Sequence, residues 1–325
     1  MTAPTRTTEP AHLAALRADA VRGLTAAPKT LPPKWLYDES GSNLFEQITR
    51  LPEYFQTRIE RALLYKVGAD IAAITGARSL VELGAGGSSK SRAILDALAA
   101  TVTTYVPVDV SRSALAQAAP SLAAAYPGVS IRPQVADFTA PLNLEEVSGP
   151  RLTMFLGGTL GNLLPAERAE FFASFAAQLA PHDHLLLGVH LVTDPQVIRP
   201  AYDDAAGITA RFNFGILRRL NRELGADFDV DAFEHVVHWD TANEWIEMRL
   251  RSRHTQTVTL RDPGLTIHFA AGEDLRTEVS AKFRPETLAR ELRAAGLELS
   301  EFWTDRDRLI GLALIAPAPL SPPAA

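Results

Sequence analysis

Ser79-Leu80-Val81-Glu82-Leu83-Gly84-Ala85-Gly86-Gly87-Ser88-Ser89-Lys90 is the stretch that decides the fold. Leu80 to Leu83 is a short apolar run of the kind that forms a strand buried on both faces. Three glycines within four positions end it, and glycine lets backbone turn sharply and approach a ligand closely. Two serines follow, either of which can cap a helix, and Ser91 to Ala100 has helical character. Strand, glycine turn and helix in this order bring a ligand to the carboxyl end of the first strand of a doubly wound α/β sheet.

Glu82 stands two residues before Gly84. The resulting E-x-G-x-G arrangement resembles the opening of the Rossmann-like class of S-adenosylmethionine (SAM) methyltransferases. Two other readings compete with it. One is a plain structural turn. The other is a nicotinamide dinucleotide site, whose G-x-G-x-x-G pattern wants a third glycine where this chain has Ser89. SAM has no diphosphate to cradle, so its site tolerates the serines.

Composition narrows the function classes. The chain has 325 residues, 46% hydrophobic and 22% charged, as expected of a globular protein with one large domain or a core plus a smaller one. Its net charge is -6, from 32 basic and 38 acidic residues, which argues against an electrostatic grip on nucleic acid and for a small-molecule partner. There is no cysteine, so disulfides, thiolate metal ligands and a cysteine nucleophile are excluded. Met1 to Pro10 shows no secretory pattern, and no apolar run approaches the roughly eighteen residues of a membrane span. The expectation is a soluble, cytoplasmic monomer with no membrane partner.

Residues 1–78 carry helical patterns at 11–26, 43–49 and 58–74, separated by Pro28, Pro32-Pro33 and Pro52. They are rich in Trp, Tyr and Phe, and we read them as a helical cover over the sheet. Residues 79–192 read as the cofactor-binding core, with strands at 79–83, 104–108, 129–135, 152–156 and 184–190 and helices at 88–99, 111–126 and 165–180. This βαβα alternation predicts a parallel sheet. Residues 193–282 read as an inserted α+β substrate-binding domain, with helices at 194–206 and 208–223 and strands at 235–239, 244–251, 255–260 and 265–270. Residues 283–315 return to the core through a helix at 286–295 and strands at 297–303 and 309–315, and 316–325 read as a disordered tail.

SAM recognition asks for three features. Gly84 and Gly86 supply the turn. Asp109, about twenty-five residues after the first glycine, stands at the end of the next strand, where a carboxylate takes both ribose hydroxyls; capping of helix 111–126 by Asp109 or Ser111 is the competing reading. Asp137-Phe138, after the third strand, offers an acceptor for the adenine amine and a face for its ring. The fourth strand then leads through Leu156-Gly157-Gly158-Thr159-Leu160-Gly161 to Asn162. That amide can donate to a carboxylate and accept from an amine, or serve only an αL turn. No serine lies in a G-x-S-x-G elbow, and His182-Asp183-His184 makes a poor metal site.

Longer strings carry a more specific likeness. Leu31-Pro32-Pro33-Lys34-Trp35, Ile48-Thr49-Arg50-Leu51-Pro52-Glu53-Tyr54, the 156–163 stretch, Tyr202-Asp203-Asp204-Ala205-Ala206-Gly207, Ile246-Glu247-Met248 and Thr277-Glu278-Val279-Ser280 resemble the bacterial L-histidine Nα-methyltransferases of ergothioneine biosynthesis. The likeness runs from about residue 15 to 315, with Lys282-Phe283-Arg284-Pro285 also matching. It implies a Rossmann-like class I methyltransferase that uses SAM, without a metal, to convert L-histidine to its Nα-trimethyl form, hercynine. It further implies that Gly84, Lys90, Asp109, Asp137 and Phe138 contact SAM, beside Gly86 of the turn. Tyr54, Asn162 and Tyr202 would hold the amine and carboxylate of the amino acid, Tyr54 and Asn162 acting at the reacting amine. Glu278 and Ser280 would bind the imidazole, and Met248 would line its pocket. One departure is His190-Leu191 at the fifth strand end, where the family pattern leads us to expect an acid.

The chemistry of these residue types agrees with the implied roles. An imidazole has one donor and one acceptor nitrogen, which a carboxylate and a hydroxyl can address together. A quaternary ammonium product suits aromatic faces, and Phe45 and Tyr54 are candidates for holding it. Tyr54 and Tyr202 as core tyrosines, Glu278 as partner of Arg276 or Lys282, and Ser280 as a solvated strand residue are the plain alternatives. The rival functions are a methyltransferase of this fold acting on tryptophan or a derivative, a nucleotide-binding oxidoreductase, and a non-catalytic SAM-binding regulator.

Overall fold

The computed structural model describes residues 11–86, 89–136, 147 and 149–319, without the side chains of Ala11, Ser89 and Ser113. The chain divides into two compact units, one of residues 49–198, 240–245 and 280 onward, the other of residues up to 48, 199–239 and 246–279.

The first unit is built on an eight-stranded sheet among the described residues. Its order is Leu297–Thr304, Ile310–Pro317, His184–His190, Arg151–Phe155, Ser79–Leu83, Thr104–Asp109 and Ser130–Ile131, with Gln134–Val135 also on Thr104–Asp109. Ser79–Leu83 is central and parallel to both neighbours, Leu80 facing Tyr105 on one side and Leu152 on the other. Ile310–Pro317 runs antiparallel to His184–His190 and to Leu297–Thr304. The expected strand at 129–135 is two short pieces. Arg132 and Pro133 separate them, and proline has no N–H to give a ladder.

Every residue of Ser79–Leu83 and Arg151–Phe155 is buried, as a parallel sheet covered by its crossover helices requires. The helix Gln56–Thr75 puts Leu63, Leu64, Val67 and Ile71 into the same core as Ile94 and Leu95 of the helix Ser89–Ala97 and Leu80, Met154, Leu186, Leu312 and Leu314 of the sheet. Each such side chain contributes about 1.5–3 kcal/mol through removal from water. Local signals set the helix ends. The Ser111 hydroxyl accepts from Ala114 N at the start of Arg112–Ala125, and Pro165 opens Pro165–Ala176, where the missing N–H costs nothing.

The second unit holds a four-stranded sheet ordered Lys29–Thr30, Asp274–Ala281, Trp245–Ser252, Phe233–Asp240, and the hairpin Gln256–Leu260 with Leu265–Phe269. Its helices include Glu39–Ile48 and Ile208–Leu224. Asp274–Ala281 is absent from the predicted strands. Asp274 and Arg276 alternate with buried Leu275 and Thr277, and their charges are matched on the neighbouring strand, Arg251 and Arg249 to Asp274 and Glu247 to Arg276.

The division differs from the expected one at the N-terminus. Helix Gln56–Thr75 does pack on the large sheet, but residues 11–48 belong to the other unit. Leu31 N donates to Arg276 O, Lys29 pairs with Glu273, and the Arg219 guanidinium lies 4.9 Å from the Trp35 ring. The helix expected at 194–206 is only Pro195–Ile198 followed by a 3-10 turn, Arg199–Ala201. Ala316 and Pro317, expected in the tail, complete the last strand, and the rest of the tail from 320 lies outside the described residues.

Candidate active site

The carboxyl end of Ser79–Leu83 opens into the glycine turn. Gly84 and Gly86 have φ of +67° and +43°, conformations in which an L side chain is strained. A Cβ built on Gly84 meets no atom of the described residues within 4 Å, so among these residues the backbone is bare there. Asp109 Oδ2 accepts from Gly86 N at 3.0 Å, and Oδ1 accepts from Ser111 N at 2.8 Å. One carboxylate therefore ties the turn to the end of the next strand, and a carboxylate has lone pairs remaining for further donors. Capping of the following helix falls to Ser111. A bare positive-φ turn beside a fixed carboxylate fits the SAM site that the sequence reading expects. Asp137 and Phe138 lie outside the described residues, as do Gly87 and Ser88.

Glu82, the acid of the motif, does not line the turn. It is 2% exposed and accepts from Ser91 Oγ at 2.6 Å and from Tyr105 OH. Burial raises its pKa, while the two hydroxyls and the nearby Lys90 charge oppose the rise. Lys90 itself pairs with Glu60, Nζ to Oε2 at 3.0 Å.

The fourth strand leaves the sheet through Gly157 and Gly158 into the 3-10 turn Thr159–Asn162. Asn162 is half-buried at its end. The backbone of Ala281 packs on this turn, since a Cβ on Gly161 would lie 2.8 Å from Ala281 O. Ser280, one residue earlier, accepts from Lys282 Nζ at 2.7 Å, and both are buried. The same unit holds Tyr54, 8% exposed, on a turn clamped from one side. Arg58 donates to the carbonyls of Leu51 and Pro52 at 2.7 Å each and of Tyr54 at 3.1 Å. His190, at the fifth strand end, is buried, and its Nδ1 has no hydrogen-bond partner among the described residues. Its ring lies against Gly158, and burial, then Lys282 and Lys90, hold its pKa well below the usual imidazole range.

Tyr202, Met248 and Glu278 belong to the other unit, where one chain of hydrogen bonds links their elements. His235 Nε2 donates to Tyr202 O at 2.9 Å, and His235 Nδ1 accepts from Asn213 Nδ2 at 2.9 Å. The imidazole is thus neutral with its proton on Nε2, in line with the lowering of its pKa by burial. Thr277 Oγ1 donates to Asn213 Oδ1, with Met248 O 3.0 Å away as a second acceptor. Thr277 precedes Glu278 in the strand. Arg276, offered above as a salt-bridge partner of Glu278, pairs with Glu247. Phe45 packs edge-on to Tyr37 at 5.4 Å and 6.0 Å from Phe212. Glu60, Arg58 and Asn213 were not foreseen. Glu60 alone left a signal, an acid on the stripe shared by Leu63, Leu64, Val67 and Ile71.

Residues 16–317 match the profile of the histidine-specific, SAM-dependent methyltransferases. The chain belongs to that family. It is 51% identical over 302 residues to the histidine N-alpha-methyltransferase of Mycolicibacterium smegmatis, covering 92% of this chain and 94% of the relative. It is 48% identical to the histidine N-alpha-methyltransferase of Mycobacterium tuberculosis, covering 94% and 95%. Among solved structures, a SAM-dependent methyltransferase from Clostridium acetobutylicum superposes with a TM-score of 0.50 at 11% identity, over 85% of this chain and 99% of that one. This places the fold in the class I methyltransferases. Among the described residues no helix is long and apolar enough to cross a membrane, and no cluster of three or more metal-ligating side chains is found.

Proposed function

We propose that this member of the histidine-specific family transfers methyl groups from SAM to the α-amino group of L-histidine, up to the Nα-trimethyl product hercynine. That is the first step of ergothioneine biosynthesis. The observation that carries the reading is the family match over residues 16–317, joined to a bare glycine turn at the first strand end and a carboxylate on the next. Gly84, Gly86, Lys90, Asp109, Asp137 and Phe138 hold SAM in this reading; Tyr54, Asn162 and Tyr202 hold the amine and carboxylate of histidine; Glu278, Ser280 and Met248 form its imidazole pocket.

Bound SAM supplies a sulfonium-activated methyl group, which a neutral amine displaces in line. Such a step needs alignment more than acid–base machinery or a Lewis acid, so no metal has a part in this reading. Tyr54 and Asn162 orient the amine lone pair, and the proton that the amine must lose before each attack passes to water. Lys282 Nζ donates to Ser280 Oγ and so fixes the side chain, and a hydroxyl is able to donate to an acceptor nitrogen. A carboxylate at Glu278 suits the imidazole N–H and disfavours the carbon edge of an indole. The protein acts as a cytoplasmic monomer on the free amino acid.

Mass spectrometry of the purified protein incubated with SAM and each of the twenty amino acids tests this directly. A gain of three methyls on histidine alone is expected. Methylation of tryptophan instead would keep the fold and cofactor and remove the imidazole pocket.

A further inference from the structure

The helix Gln56–Thr75 contributes one carboxylate to the interior of the sheet unit. Glu60 is 1% exposed, a burial that an acid does not tolerate without compensation. Its compensation comes from two places. Gly157 N donates to Oε1 at 2.8 Å and to Oε2 at 3.1 Å, and Lys90 Nζ donates to Oε2 at 3.0 Å. Space for the carboxylate is made by Gly188 on the fifth strand, where a Cβ would lie 1.8 Å from Oε1. Three separate elements are thus shaped around this one side chain.

The two partners lead to different parts of the reaction. Lys90 stands at the start of the helix after the glycine turn. Gly157 begins the turn that ends at Asn162, held further by Gly161 N on Gly158 O and by Thr159 Oγ1 on Leu156 O. We propose that Glu60 is a positioning residue for methyl transfer, which fixes the Lys90 ammonium for the cofactor and the Gly157 turn for the substrate amine from a single buried charge. The proposal rests on the functional reading above, which assigns Lys90 to SAM and Asn162 to the amine. An ammonium has three donors in a fixed arrangement. Spending one on Glu60 directs the other two away from it and removes the cost of choosing an orientation when the ligand arrives. The carboxylate also offsets the Lys90 charge, so the pocket receives a ligand that is itself doubly cationic and singly anionic without excess positive potential.

Glu60→Gln keeps an acceptor for Gly157 N–H but replaces the charge facing Lys90. Glu60→Asp keeps the charge and withdraws it by one methylene. In calorimetry with S-adenosylhomocysteine on the full-length protein, Glu60→Gln is expected to weaken binding at least about tenfold while the far-ultraviolet circular dichroism stays that of the wild type. In the same variant kcat for histidine falls, because the Asn162 turn loses a charged anchor. Lys90→Met weakens binding in the wild-type background and by less than about threefold in the Glu60→Gln background, since the two act as one unit. Wild-type affinity and kcat in Glu60→Gln, or losses from the two substitutions that simply multiply, would overturn the proposal. If Glu60→Gln does not fold, Glu60→Asp takes its place, with the same loss of affinity expected and wild-type affinity overturning it. A wild-type protein that binds no S-adenosylhomocysteine would sink the functional reading instead, and this control tells the two failures apart.

Discussion

Glu278 sits half-buried in a strand between two inward residues, Thr277 and Val279, and its assigned task is to receive an imidazole N–H. Glu278→Ala should therefore cost about 2–3 kcal/mol of transition-state binding to histidine and leave the affinity for S-adenosylhomocysteine unchanged. Steady-state kinetics with both substrates varied would check this, and an equal loss for the two would refute the role. Glu82 makes the opposite kind of prediction, on stability. Removing its carboxylate with Glu82→Ala takes the shared acceptor from two buried hydroxyls, Ser91 and Tyr105, and leaves them only each other, at a cost of about 1–3 kcal/mol, readable in urea melts. The sequence placed Glu82 on the strand of the E-x-G-x-G motif, and its side chain ties that strand to the following helix and to the neighbouring strand. Asp109 was legible as a strand-end carboxylate. Its second task, fastening Gly86 N, was not, because such a bond depends on the turn's backbone path and on no residue type.

At the level of elements, the link Tyr202–His235–Asn213–Thr277 joins a turn, two strands and the helix Ile208–Leu224. Asn213 is fully buried at its centre. Asn213→Leu should raise KM for histidine with little change in KM for SAM, and lower stability by about 1–3 kcal/mol; unchanged KM for histidine would show that the link is structural only. The elements themselves were readable wherever one physical signal dominated. Apolar runs gave the buried parallel strands, and Pro165 and Pro285 opened the helices they begin. Signals that cancel hid the rest. The charges of Asp274, Arg276 and Glu278 kept this stretch out of the expected strands, although each alternates with a buried neighbour. The run 129–135 looked continuous until Pro133 interrupted its hydrogen bonding. The motif-bearing turns were legible as strings, but of their supports on the helix Gln56–Thr75, Arg58 left no local pattern and Glu60 only an acid on an apolar stripe.

For the molecule as a whole, buried neutral histidines set part of the response to pH. His190 and His235 both have pKa values lowered by burial. The unfolded chain therefore binds protons that the folded chain refuses. Their contribution is complete above about pH 6.5 and declines as pH falls toward their folded pKa values, by up to about 1.4 kcal/mol per pH unit for each. Glu82, with a raised pKa, works in the other direction, so the clean measurement is a difference. Between pH 7.5 and 5.5 the wild type should lose more stability than His190→Phe, and parallel curves would remove His190 from the account. The division into two units, with residues 11–48 grouped with 199–279, has a consequence in time. A ribosome delivers the segment holding Leu31, Trp35 and Leu36 long before its partners, and at about 5–20 residues per second the wait for residue 199 is on the order of ten to thirty seconds. In that interval these apolar side chains, all under 7% exposed in the finished protein, are open to chaperones and to other nascent chains. An early segment of the chain is thus recaptured by a later one.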